Sequence, residues 1–245
     1  RVIEIFAAAM FPKGHPYSWS VIGSMDDLSA ASLEDVSNFF RTYYAPNNAT
    51  LTIAGDFNPA EAKRLVSLYF SGIPRGPALP PRPNVAPVVL AKDTFMVLED
   101  KVQLPRAFYD WPTVKIYDKD DAALDVLASV LASGKNSRLY KRLVFDMQIA
   151  QQVFASQQTS KLAGRFEIDI TPKPGQSLAA IDKIVQEELQ KVMNEPITER
   201  ELQRVQNSFR ASFLNRLSGV LGKSEILNSY NYMAGNPDYV QQDAE

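Results

Sequence analysis

Apolar positions recur at helical spacing at both ends of this chain and alternate mainly in its middle. Val2, Ile5, Phe6 and Ala9 in RVIEIFAAAM predict a helix with no N-cap residue before it, a helix entered part-way. Pro12, Gly14 and Pro16 break it. Ser32 with Asp35 three residues on has the spacing of a capping box and opens a helix through SLEDVSNFFRTYY, with Leu33, Val36, Phe39, Phe40 and Tyr43 as its buried stripe. After the turn at 46–48, Leu51, Ile53 and Gly55 alternate with Thr52 and Ala54, which predicts a strand in ATLTIAGDF. Asn58 and Pro59 then start a helix that carries Ala62, Leu65, Val66 and Tyr69 on one face.

Residues 71–93 hold six of the 16 prolines, at 74, 77, 80, 81, 83 and 87, so this stretch loses backbone donors and reads as a stiff, extended spacer. Beyond it, 94–100 and 106–112 read as strands, followed by a helix through Ala123, Leu124, Leu127, Val130 and Leu131. The break SGKNS precedes a second helix, RLYKRLVFDM. QQVFASQQ and GRFEIDIT predict a strand pair in which Phe166, Ile168 and Ile170 meet a core while Glu167 and Asp169 face water. Ser177 is placed to cap a helix bearing Leu178, Ile181, Val185, Leu189 and Val192. Thr198 with Glu201 forms a box for the next, whose apolar face is Leu202, Val205, Phe209, Phe213 and Leu217. The expected class is α+β, largely antiparallel sheets with helices packed on one face. The element order suits two copies of one fold, the first truncated at its start and the second at its end, divided as 1–72, a linker at 73–93, and 94–245.

Composition narrows the chemistry. With 245 residues the chain is long enough for two domains, and 26 basic against 28 acidic side chains leave a net charge of −2. That balance offers no nucleic-acid footprint and no polybasic membrane anchor, and no run reaches the length of a membrane span. Without cysteine there is no disulfide, thiolate nucleophile or thiolate-held zinc. The single histidine, His15, cannot make a two-histidine metal site; between Pro and Gly breakers it reads as a partly exposed loop imidazole bonded to backbone rather than as an acid or base. The pairs Asp26–Asp27, Glu34–Asp35 and Glu99–Asp100 and the acids of 118–121 read chiefly as complements to helix dipoles, not as a cation site. SGKNSR lacks the spacing of a phosphate loop. Trp19 and Trp111 are expected in cores and domain contacts, and Lys135, Arg138, Lys141 and Arg142 on a solvated helix face.

Taken together, HPY at 15–17, IGS with the acidic pair and Leu28, FRTYYAPNN at 40–48 and the GDF turn at 55–57 resemble the pitrilysin/insulinase zinc metallopeptidases, the inverzincins, in the second half of their metal-bearing domain. SRLYKRLVFDMQIA at 137–150 resembles the following metal-free domain, so the likeness covers nearly the whole chain. It implies homologous domains enclosing a chamber, with zinc held by a His-x-x-Glu-His helix and a more distant Glu. That helix is not in this sequence, the third ligand is expected upstream of Arg1, and Glu4 is not assigned as a ligand. Val144 and Gln151 stand where family members often place an Arg and a Tyr that steady the substrate carbonyl.

The resemblance therefore implies part of a zinc-dependent endopeptidase acting on peptides or unfolded proteins. No catalytic or metal residue is expected in this chain, which should be inactive alone. Its partners would be the remaining domains of the parent or a homologous subunit, its cofactor zinc held elsewhere in the parent, and its location periplasmic or secreted in a bacterium. The alternative from the same likeness is a non-catalytic structural or partner subunit. An exposed edge strand at 163–171 would let either one bind an extended peptide.

Overall fold

A computed structural model describes residues 2–244. Its first helix, α1 (Val2–Met10), runs into the breakers Pro12 and Gly14, and Gly14 takes a φ of +91° that suits glycine. α2 (Met25–Ala30) begins where the Ser24 hydroxyl accepts from the Asp27 amide. α3 (Leu33–Tyr43) begins with the reciprocal box between Ser32 and Asp35, and those bonds hold the Asp35 carboxyl below the usual carboxylate range. For α4 (Pro59–Phe70), the Asn58 side chain accepts from the amides of Ala60 and Glu61, and Pro59 occupies the first turn. No helix or strand forms from there to β1 (Ala107–Thr113).

α5 (Asp121–Ala132) and α6 (Arg138–Tyr140) follow, the latter continuing as a π turn over Lys141–Asp146. Next come β2 (Ala150–Thr159), β3 (Gly164–Pro172), α7 (Leu178–Asn194), α8 (Glu199–Ser218), α9 (Val220–Met233) and α10 (Val240–Ala244). The Thr198–Glu201 box forms, with Glu201 accepting from both the Thr198 amide and hydroxyl. Ser177 sits at the N-cap of α7, but its side chain makes no capping bond; only its carbonyl receives the Ile181 amide.

The strands form one antiparallel sheet in the order β1-β3-β2, with Ile168 opposite Tyr109 on one side and Ala155 on the other. Phe166, Ile168 and Ile170 point into a core with Leu131, Leu139, Leu143, Ile181 and Val185, so α5, α6 and α7 cover that face. This is the expected α+β arrangement. Gly164 opens β3 because a Cβ there would lie 2.4 Å from the Val114 carbonyl oxygen.

Three expectations fail, for one reason. The run at 94–100 is irregular and leaves Phe95 89% exposed, ATLTIAGDF is not a strand, and the α3 stripe is not buried, with Leu33 at 83% and Phe39 at 52%. Alternation makes a strand only where another strand supplies its hydrogen bonds, and a helix stripe is buried only by a surface facing it. Among the described residues neither is supplied. Phe209 on α8 likewise stays 41% exposed, while Val205 one turn before it is buried.

The described residues divide into two units. The first joins the chain up to Trp19 with Asn84–Ala211, and the second joins Ser20–Pro83 with the chain from Ser212. Within the second, Asn47 ties the proline-rich stretch to the turn after α3: its amide donates to the Pro77 carbonyl at 2.9 Å and its oxygen accepts from the Gly76 amide at 2.9 Å. Ile226 and Tyr230 are buried there, and the Tyr230 hydroxyl donates to Asp243 at 2.6 Å.

Candidate functional site

β3 is flanked on both sides, so the segment 163–171 is the centre of the sheet and not an edge. Two edges remain. β1 carries Pro112 and Asp110, the devices that discourage another strand from pairing. β2 has neither. Its ten residues, AQQVFASQQT, contain no charge and no proline, and no strand lies beside it on the far side from β3 among the described residues. An extended peptide needs this kind of edge to add a strand, because main-chain groups give the affinity and alternate side chains the selectivity. The π turn delivers the chain to this edge. Gln148 takes a φ of +53°, the Ile149 amide donates to the Leu143 carbonyl at 2.9 Å, and a register irregularity falls between Ala150 and Gln152.

The sheet face opposite the core is polar and self-paired. Gln158 donates to Glu167 at 2.8 Å and accepts from Arg165 at 3.1 Å, Arg165 pairs with Glu167 at 2.5 Å, and Arg106 pairs with Asp169. Asp110 lies beneath this network with its side chain 4% exposed; Arg165 stands 3.5 Å from its Oδ1, which makes no hydrogen bond. Burial raises the Asp110 carboxyl to about 7, with Glu167 and Asp169 pushing the same way and Arg165 opposing. A carboxyl raised on folding binds its proton more tightly in the native state, so its contribution fades as pH rises from 3.8 to about 7. Asp110→Asn should therefore unfold at a higher temperature than the parent sequence at pH 8, with the difference vanishing near pH 4. A melting series showing a constant difference would contradict this.

The other singled-out residues separate into distinct roles. His15 is bonded to backbone as expected, through Nδ1 to the Tyr17 amide at 3.0 Å, but it is buried rather than partly exposed, because Phe11 and Tyr17 close over the ring. Asp26, Asp27, Glu34 and Asp35 lie in first helical turns, and Asp121 accepts from the Tyr117 amide as α5 begins; Glu99 and Asp100 meet no helix. Ser137 turns its hydroxyl onto the Gly134 carbonyl at 2.7 Å. Trp111 stacks on Tyr109 yet is 37% exposed, and Trp19 is 58% exposed, so neither lies in a core, contrary to expectation.

Of the basic cluster, Lys135 and Lys141 are exposed as expected, but the two arginines are not part of a solvated face. Arg138 forks onto Glu201 at 2.7 and 2.9 Å, and Arg142 joins the π turn after α6 to α7 through Glu188 at 2.6 Å and Glu187. Sequence reasoning missed these pairs because their carboxylates lie 45 or more positions away. Val144 packs against the core and Gln151 is exposed at the start of β2. Among the described residues no three His, Asp or Glu side chains converge to hold a metal ion.

Residues 30–209 match the family described as the peptidase M16 inactive domain. The chain belongs to this family. It is 28% identical over 233 residues to the zinc protease PqqE of Helicobacter pylori, covering 93% of this chain and 52% of that protein. The crystal structure of a protease from Helicobacter pylori superposes with a TM-score of 0.85 at 26% identity, covering 99% of this chain and 60% of that one. The periplasmic protease PqqL from Escherichia coli shares the fold, with a TM-score of 0.73 at 16% identity over 100% of this chain and 28% of that one. This M16 chain spans about half the length of the curated relatives with which it aligns over nearly all its residues.

Proposed function

We propose that this chain is the metal-free, substrate-supporting part of a zinc-dependent endopeptidase that takes peptides or unfolded proteins into a chamber. In this reading 1–72 is the end of the zinc-type domain, 73–93 the linker and 94–245 the partner domain, in a parent that is periplasmic or secreted. Membership of the inactive-domain family supports the parentage, and the observation that carries the substrate role is the open, uncharged, proline-free edge of β2. The chain's own residues do not fit a zinc ion. Its single imidazole is buried with Nδ1 already engaged, and no carboxylate cluster stands in for a second ligand among the described residues. Hydrolysis therefore belongs to other parts of the parent, and the role left to this chain is to align an extended substrate.

The purified parent should degrade an unfolded polypeptide in an EDTA-sensitive way, whereas the 245-residue chain alone should neither cleave it nor hold zinc stoichiometrically. Tight zinc with proteolysis by this chain would overturn the reading, and so would a parent without activity. Phe154→Lys in the parent places a charge on the edge. It should raise KM for an unfolded polypeptide by about tenfold, the worth of one or two strand hydrogen bonds, with kcat on a short peptide unchanged. An unchanged KM would remove β2 from the substrate path.

A further inference from the structure

His15 is the only imidazole in the chain, is 5% exposed, and has no part in the substrate edge. Its loop is built around it. The His15 amide donates to the Pro12 carbonyl at 2.9 Å, and its own carbonyl receives the Ser18 amide at 2.9 Å and the Ser18 hydroxyl at 2.8 Å. Phe11 stacks on the ring at 4.7 Å between centroids, and Tyr17 meets it edge-on at 5.3 Å. Because Nδ1 accepts the Tyr17 amide, the neutral ring carries its proton on Nε2, and this buried nitrogen has no hydrogen-bond acceptor.

The same Tyr17 reaches across the fold. Its hydroxyl accepts from the Leu162 amide at 3.3 Å, and Ala163 and Val88 pack on Met10, Phe11 and Tyr17. One imidazole thus organises the contact that pins the turn between β2 and β3, and the proline-rich segment at Val88, to the end of α1. We propose that His15 is a proton-operated latch: neutral, it holds Tyr17 on the β2–β3 turn, and protonated, it releases it.

The physical basis is a reversal at one atom. Protonation at Nδ1 turns the acceptor of the Tyr17 amide into a donor facing a donor, and the charge forms on a ring that is 5% exposed and whose Nε2 has no acceptor. The charged side chains on the packed elements are Lys13 on the same loop, Lys161 on the β2–β3 turn, Glu4 in the first turn of α1, and Lys92 and Asp93 beyond Val88. Burial alone lowers the His15 pKa from 6.5, and no carboxylate opposes it. A histidine lowered on folding stabilises the closed form above its ordinary value of 6.5 and loses that contribution as pH falls through its folded value. The opening equilibrium then grows by up to about tenfold per pH unit in that window, the limit for one proton.

The single histidine makes the test direct. In the 245-residue chain, the His15 ring carbon resonances should titrate below 6.5, and amide exchange of Tyr17 and Leu162, corrected for intrinsic rate, should accelerate over the same pH interval. His15→Gln keeps an acceptor for the Tyr17 amide but cannot charge, so its corrected exchange should be flat with pH. Tyr17→Phe should expose the Leu162 amide at every pH while His15 still titrates below 6.5. An imidazole titrating at or above 6.5 overturns the latch. So does an acid-driven loss of protection that persists unchanged in His15→Gln. If His15→Gln does not fold, the unmodified chain decides, because a ring titration without accelerated exchange at Tyr17 and Leu162 also overturns it.

Discussion

Ile168→Ala should lower the unfolding free energy by about 2–5 kcal/mol, the range for deleting a buried branched side chain in a core that cannot collapse around the void. Ile168 has no exposed surface and lies on β3 between Tyr109 and Ala155, facing Leu143, Ile181 and Val185 on the covering helices. Strands on both sides fix the backbone, so the neighbours cannot close the gap. Ile168→Val removes one methylene and should cost only about 1 kcal/mol. Urea denaturation of the two variants checks the ratio, and near-equal losses would mean that β3 is not the packed centre of the first unit. Since β2 is held by β3, the larger loss should also raise amide exchange along β2 before global unfolding.

Glu201→Ala is the second large effect, at about 2–3 kcal/mol, because one carboxylate serves two structures. It takes the Arg138 fork, which joins α6 to α8, and it closes the Thr198 box that starts α8. A charge-assisted hydrogen bond and a cap together reach that sum. The Arg138 guanidinium, followed by the Thr198 bonds, holds the Glu201 carboxyl down at about 2, against desolvation. A carboxyl lowered on folding contributes stability above its ordinary value of 4.5 and loses it as pH falls toward 2. The parent sequence should thus weaken through this interval more steeply than Glu201→Gln, which keeps an acceptor for Thr198 but carries no charge. Parallel acid-denaturation profiles for the two would contradict the assignment.

The helix starts at Ser32, Asn58 and Thr198 were legible in the sequence because a cap is made by residues two or three apart. The alternation of Phe166, Ile168 and Ile170 with Glu167 and Asp169 gave the two faces of β3 for the same local reason, one side chain after the next. The breaks at Pro12, Gly14 and SGKNS were equally local. The same signal misled at 49–57 and 94–100, where alternation is present and, among the described residues, no neighbouring strand pairs with it.

What the sequence settled by itself was the class of fold, the family resemblance and the exclusions that follow from having no cysteine and one histidine. Only the tertiary structure decided which strand is central, that β2 is the unblocked edge, that Arg138 and Arg142 are spent on Glu201, Glu187 and Glu188, and that His15 is enclosed. Each of these depends on groups far apart in the chain meeting in space. Residue spacing encodes which face a side chain occupies, and only packing determines what stands opposite that face.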